Sequence, residues 1–341
     1  MPGSAVARQS DPGGGLFARG DTPPSPASGK GSAPSKGTGD RQDKAASLKG
    51  TPISLAAARA EAARKVPVDR TKYQTIRSLD QLMAFIARVH DVGHFAIEAM
   101  SDSIDPMQAE ISGIALALAP NDACYVPLGH KQSGGGAGLF DAGLAPDQIK
   151  ASDALAALKP LLESAGIVKI GFNIKFSAVM LAQHGITLRN HDDAQLMSYA
   201  LDAGRNAHGL DALAERWLGH ATIGYGDLIG SGKNKLTFDQ VAIDKATEYS
   251  AESADVTLRL WRVLKPRLVA ERMTAVYETL ERPLISVLAR MERRGISIDR
   301  QVLALLSGDF AQTAARVEAQ IQEIAGEPIN CLLYTSPSPR D

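Results

Sequence analysis

In SLDQLMAFIARVH the apolar residues stand at 79, 82, 83, 86 and 89, the stripe of an amphipathic helix with Ser78 as its N-cap. The period then changes. HFAIEAM (94–100) is a strand candidate, and two further strands follow in ISGIALALAP (111–120) and ACYVPLG (123–129), separated by the turn PND at 120–122. Three strands in succession predict an antiparallel meander. KQSGGGAGLF (131–140) predicts a flexible loop.

Beyond it, ASDALAALKPLLESAG predicts a helix and IVKIGFN (167–173) a short buried strand. FSAVMLAQHG (176–185) is a helix stopped at Gly185, DDAQLMSYALDA another, and LDALAERWLG a third with its own glycine stop. ATEYSAESADVTLRLWRVLKPRLVAERM predicts one long helix with Leu258, Trp261 and Leu264 on its apolar side. From YETLERPLISVLARMERRGISIDR onward the pattern is helix, turn, then the helix QVLALLSGDFAQTAARVEAQIQEIAG. A meander followed by alternating helices and short strands predicts an α/β fold, and no repeat of fixed period is present.

The two ends depart from this pattern. Residues 1–50 are close to half Gly, Pro and Ser, which buries too little apolar surface to offset ordering entropy. Residues 1–67 are therefore expected to be a disordered linker. Ten Lys and Arg against five Asp and Glu over residues 1–65 add a weak attraction for phosphate. At the other end, CLLYTSPSPRD (331–341) breaks from what precedes it and reads as a translated sequencing adapter, so it is set aside.

The 341 residues, 44% of them hydrophobic and with a net charge of −1, suffice for one or two globular domains. Near-neutrality does not exclude nucleic acid, because a local groove can still be basic. Cys124 and Cys331 cannot build a disulfide framework, which fits a reducing compartment. No run is long and apolar enough to span a bilayer, and no membrane partner is expected.

The candidate chemistry centres on HFAIEAMSDSIDPMQAE (94–110). Acids at i and i+2 at a strand end share one face and suit a divalent metal. Here Glu98 is present, but Met100 fills the second place. His184, His191, His208 and His220 form no zinc spacing with cysteine, and His208 reads as a packing or capping residue. GSGKNK (230–235) lacks the full Walker spacing and is not a P-loop.

Several segments, in order, carry a resemblance: FAIEAMSDSIDPMQAEISGIALAL, VKIGFNIKFSAVMLAQHGI, HGLDALAERWLGH, GSGKNKLTFDQV and EYSAESADVTLRLW. Together they resemble the proofreading 3′–5′ exonuclease domain of bacterial family A DNA polymerases. YETLERPLISVLARMERRGISIDR resembles the start of the polymerase domain in the same family. The likeness covers roughly residues 68–330. It implies a ribonuclease H-like α/β fold with a mixed central sheet over 68–270, followed over 271–330 by the helical start of a truncated polymerase domain. The Gly/Pro/Ser segment would join these to an upstream 5′ nuclease. The implied setting is replication and repair in a bacterial cytoplasm, associated with the nucleoid.

The family's exonuclease chemistry uses four carboxylates and a tyrosine, the acids holding two divalent ions, Mg²⁺ in the family, about 4 Å apart. Its first motif, Asp-x-Glu, falls on Glu98 and Met100. Its second, an Asn followed by a metal-binding Asp, falls on Asn173 and Ser177. Its third, Tyr-x-x-x-Asp, falls on Tyr249 and Ser253. The resemblance thus implies that Met100, Ser177 and Ser253 occupy lost ligand positions and that Glu98 and Tyr249 are remnants. A single carboxylate holds Mg²⁺ weakly at best, so no metal or other cofactor is expected.

The expected role is a structural, DNA-contacting module of a DNA-directed DNA polymerase. The alternative is a residual or rewired metal-dependent exonuclease drawing on Asp102, Asp105, Asp193, Glu248, Glu252 or Asp255. Glu252 is turned about 100° from position 253 on a helix, and Asp193 and Asp255 match acids that the family carries besides its metal ligands. A weaker third reading is a stand-alone single-strand binder. By resemblance, Ile104 wedges against terminal bases, Tyr225 stacks on one, and Asn173 belongs with these DNA contacts. Lys233 and Lys235 offer basic groups to phosphate. The expected partners are DNA, as primer-template or single strand, and the remainder of a polymerase chain.

Overall fold

The computed structural model describes residues 50–132, 143–232 and 235–326. Its centre is a six-stranded sheet of β1 (Gln74–Thr75), β2 (His94–Ser101), β3 (Ile111–Ala119), β4 (Asp122–Pro127), β5 (Val168–Gly171) and β6 (His191–Asp193). The order is β1-β4-β3-β2-β5-β6. The meander β2–β3–β4 is antiparallel, as predicted, while β5 and β6 add in parallel beyond β2 and β1 adds in parallel beyond β4. The sheet is therefore mixed. Most of the loop expected at 131–140 lies outside the described residues.

Alternation along β2 sets the two layers. Phe95, Ile97 and Ala99 join the aliphatic core with Ile114, Leu116 and Val126, which α2 (Leu79–Val92) and α3 (Ala151–Glu163) cover. Ser78 caps α2 in a capping box with Gln81, and Gly93 closes it with the positive φ of 77° that glycine adopts without strain. The other face carries Ala96, Ala115, Ala117 and Ala123. These small side chains let the 28-residue α8 (Ile243–Ala270), with Ala246, Ala251 and Ala254, lie close on the sheet.

Two further helices, α5 (Ala194–Asp202) and α6 (Leu210–Leu218), pack on the far side of α8. A π-helical turn at Tyr277–Glu281 leads into α9 (Arg282–Arg294), and α10 (Arg300–Ala325) follows with no buried residue.

One expectation fails at its boundary. The linker expected through residue 67 gives way to helix α1 (Pro52–Lys65), capped by Thr51 and packed on α8 and α6. Ala56 is buried, Ala60 and Ala63 lie against the helical core, and Arg64 donates to the carbonyls of Arg216 and Trp217 at 2.7 and 3.1 Å. Proline at N1 and an alanine-rich helix favour this end, and tertiary burial of the small face completes it. Residues 1–49 and 331–341 lie outside the described residues. No described helix is long and apolar enough to cross a membrane.

Candidate active-site cleft

The carboxyl ends of β2 and β5 open into a cleft of about 740 Å³, the usual place for a site in an α/β sheet. β2 brings Glu98 and Met100 to it from one side of the strand, paired with Ala115 and Gly113 of β3. α4 (Ile174–Gln183) brings Asn173 and Ser177, and α8 brings Tyr249. Ser253, one turn further along α8, donates from its hydroxyl to Glu98 Oε2. Ser177 Oγ accepts from the backbone N–H of Ala99 at 3.2 Å. Glu98, Met100, Ser177 and Ser253 therefore converge, although they come from three elements far apart in the chain.

Burial raises the Glu98 carboxyl to about 7, with the Ser253 hydroxyl acting against that rise. A carboxyl whose folded pKa is raised is penalised once ionised. Stability is full below the ordinary value of 4.5 and falls as pH rises from there through about 7. Glu98→Gln is expected to melt higher than the natural chain at pH 8 and at the same temperature near pH 4. Thermal unfolding at the two pH values checks this.

Asn173 begins α4 in the left-handed conformation, φ 51°, which Asn tolerates better than most residues. Its N–H and that of Ile174 donate to the two oxygens of Asp193, at 3.3 and 2.8 Å. Asp193 also caps α5 through the N–H groups of Gln195 and Leu196. It is thus a structural acid that fixes two helix starts.

Of the other neighbouring acids, Glu252, Asp255 and Asp105 are occupied, while Glu248 is exposed on α8. Glu252 turns away from the cleft and holds Arg70, His220 and the Ile223 N–H. Asp255 is paired with Arg259. Asp105 accepts from the Met107 N–H and from Gln108. Asp102 does line the cleft, with one oxygen taken by the Glu110 N–H at 2.9 Å. Among the described residues no three His, Cys, Asp or Glu side chains converge to hold a metal.

One wall is aromatic. Tyr225 opens the short helix α7 (Tyr225–Ile229) and stacks on Phe238 at 6.5 Å and 12°, and Tyr249 tilts against both rings. Burial, with Glu98 nearby, pushes the Tyr249 hydroxyl well above its ordinary pKa, so it is a neutral donor at any working pH. Ile104 stands at the rim, 94% exposed, and Lys235 lines the same mouth. Lys233 lies outside the described residues. Phe238, the platform under Tyr225, escaped the sequence reading; its signal was an aromatic beside the basic loop in KNKLTF. His208 packs as expected, with Nδ1 on the Ser198 hydroxyl at 2.9 Å and its ring edge-on to Tyr199.

Comparison with known proteins places this geometry. The family described as 3′–5′ exonuclease matches residues 73–269. A DNA polymerase I from Rhizobium leguminosarum is 51% identical over 289 residues, which are 82% of this chain and 28% of the relative. One from Pseudomonas aeruginosa is 37% identical over 72% of this chain and 26% of its own. The chain thus spans about a quarter of the length of these relatives. The solved POL domain of Pol1 from M. smegmatis, in complex with DNA primer-template and dNTP, shares the fold at a TM-score of 0.58. That match has 21% identity and covers 78% of this chain and 39% of the other. With its ribonuclease H-like α/β sheet and helices, the chain belongs to the 3′–5′ exonuclease family of the A-type DNA polymerases, as found in bacterial DNA polymerase I.

Proposed function

We propose that this domain serves a DNA polymerase as a non-catalytic module, which orients the neighbouring polymerase domain and touches DNA. The observation that carries this is the convergence of Glu98, Met100, Ser177 and Ser253 around one carboxylate. Mg²⁺ takes about six oxygen ligands in near-octahedral array and sheds water reluctantly. A thioether is the wrong donor for so hard an ion. The Ser253 hydroxyl donates to Glu98, Ser177 Oγ is engaged by the backbone, and Glu98 is raised toward neutrality. These residues do not fit the pair of Mg²⁺ ions that the family uses, and no chemical step is routed through them. Substitutions at separate motifs amid intact surroundings accord with decay after proofreading ceased to be selected.

DNA contact does not need the metals. The Tyr225 ring, half-exposed over Phe238, offers a base a flat partner, and Ile104 offers an apolar wedge. Lys235 and its basic loop supply charge for phosphate. The favoured partners are primer-template or displaced single strand, and the rest of a polymerase chain, in a nucleoid-associated setting. Fluorescence polarisation with a labelled single strand in EDTA tests this. Binding is expected without metal, to weaken by about 1–3 kcal/mol in Tyr225→Ala, and to lose about one unit of salt slope in Lys235→Ala. Absence of binding, or indifference to both substitutions, would contradict the DNA-contacting role.

A further inference from the structure

A second cavity, of about 530 Å³, lies at the opposite end of β2 from the cleft. His94 lines it, six residues before Met100, which is about 20 Å along a strand. α1, the turn at Pro120 and the last third of α8 complete its walls. Such a volume suits a small organic ligand.

Its chemistry is one-sided. Arg59, Arg259, Arg262 and Lys265 line it, and no Asp or Glu does. Two of these cations are already matched: Arg259 by Asp255 at 2.9 Å, and Lys265 by Asp192 at 3.0 Å and Glu278 at 2.8 Å. Arg262 is half-buried, and its one hydrogen bond among the described residues is to the Leu118 carbonyl, at 3.4 Å. Arg59 has no acidic partner among the described residues either. Burial lowers the Arg262 pKa, with Arg259 adding to that and Asp255 opposing it. A guanidinium held this way leaves most of its five donors unmatched in a setting where that is costly.

The remaining wall is apolar and aromatic. Val66, Pro120 and the Trp261 ring line it, and Trp261 packs on His94 at 5.3 Å. His94 Nε2 is buried without a partner. Two unmatched guanidiniums call for a dianion, and their planar forks suit phosphate oxygens. The indole and its apolar surround call for a flat, weakly polar body joined to it.

We propose that this cavity binds a phosphate monoester on a flat heterocycle, the chemistry of a nucleoside monophosphate. Arg262 and Arg59 take the phosphate, and Trp261 lies against the base. A free mononucleotide and the 5′-phosphorylated end of a DNA strand share that chemistry.

Calorimetric titration of the whole chain with dAMP tests the proposal. Deoxyadenosine, inorganic phosphate and a 5′-phosphorylated oligothymidine are the other arms. Saturable dAMP binding is expected, with deoxyadenosine and phosphate each weaker by about tenfold or more. Arg262→Gln lowers the affinity about tenfold or more, and Arg59→Gln, at an exposed helix position, several-fold in the same direction. Arg290→Gln, at an exposed position of α9 that lines neither the cavity nor the cleft, leaves dAMP binding unchanged. In a Trp217→Phe chain Trp261 is the sole tryptophan, and its fluorescence responds to dAMP. A stronger response to the oligonucleotide than to dAMP assigns the strand end, and the reverse assigns the free nucleotide. No saturable binding, equal affinity for inorganic phosphate, survival of binding in both Arg262→Gln and Arg59→Gln, or its loss in Arg290→Gln overturns the proposal.

Discussion

Placing acids in the cleft, as Glu98→Asp, Met100→Glu, Ser177→Asp and Ser253→Asp together, is expected to produce EDTA-sensitive removal of 3′ nucleotides, about a thousandfold above the natural chain. The size follows from the several kcal/mol that bound metals contribute to charge stabilisation, each 1.4 kcal/mol being about tenfold in rate. The backbone is already placed for it. Glu98 and Met100 stand two apart on β2, Ser177 touches the Ala99 N–H from α4, and Ser253 touches Glu98 from α8. Four acids crowded there repel one another without metal. The same variant should therefore melt lower than the natural chain in EDTA and recover with Mn²⁺ or Mg²⁺, by mass action on the folded state. A folded variant that binds the ions yet trims nothing would mean that the cleft lacks more than these four acids.

The second large effect concerns the fold behind α8. Arg259 is 2% exposed and Asp255 fully buried. The guanidinium donates to Asp255 at 2.9 and 3.2 Å, to Asn121 Oδ1 at 2.8 Å and to the Val66 carbonyl at 2.5 Å. Asp255 also accepts from the Tyr73 hydroxyl at 2.9 Å and the Asn121 N–H at 3.1 Å. This network ties α1, the β3–β4 turn and α8 together. Arg259→Met strands a buried carboxylate, and a loss of about 3–5 kcal/mol is expected. That is a large part of the roughly 5–15 kcal/mol by which domains are stable. Urea unfolding of Arg259→Met, Asp255→Leu and the double variant measures it. The double variant should cost less than the two single changes added together, because neither charge remains unmatched.

The periodic segments were legible because each element buries one face. The stripe of α2, the meander and the long α8 follow directly from residue spacing. The start of α1 was not legible, because composition over residues 1–50 hides the helical spacing of Ala56, Ala60 and Ala63 that begins just after it. The parallel addition of β5 beyond β2 depends on contacts across more than seventy residues, which no local period carries. In the cleft, spacing singled out Glu98 and Met100, and the family resemblance named Ser177, Ser253 and Tyr249. Neither revealed that both serine hydroxyls are engaged, one by Glu98 and one by the backbone. Nor did either reveal Phe238 beneath Tyr225, whose role depends on where α7 turns back over the sheet. The second cavity was invisible for the same reason, since Arg59 and Arg262 meet only through the packing of α1 on α8.

A cleft that keeps the family's fold without its metal-dependent chemistry, as proposed, should trim no DNA. This is tested most directly by incubating the purified natural chain with a 3′-labelled single strand in Mg²⁺ or Mn²⁺, beside Glu98→Ala. Label release is expected to stay at the level of the no-protein control in both chains. Release that is abolished by EDTA and by Glu98→Ala would contradict it.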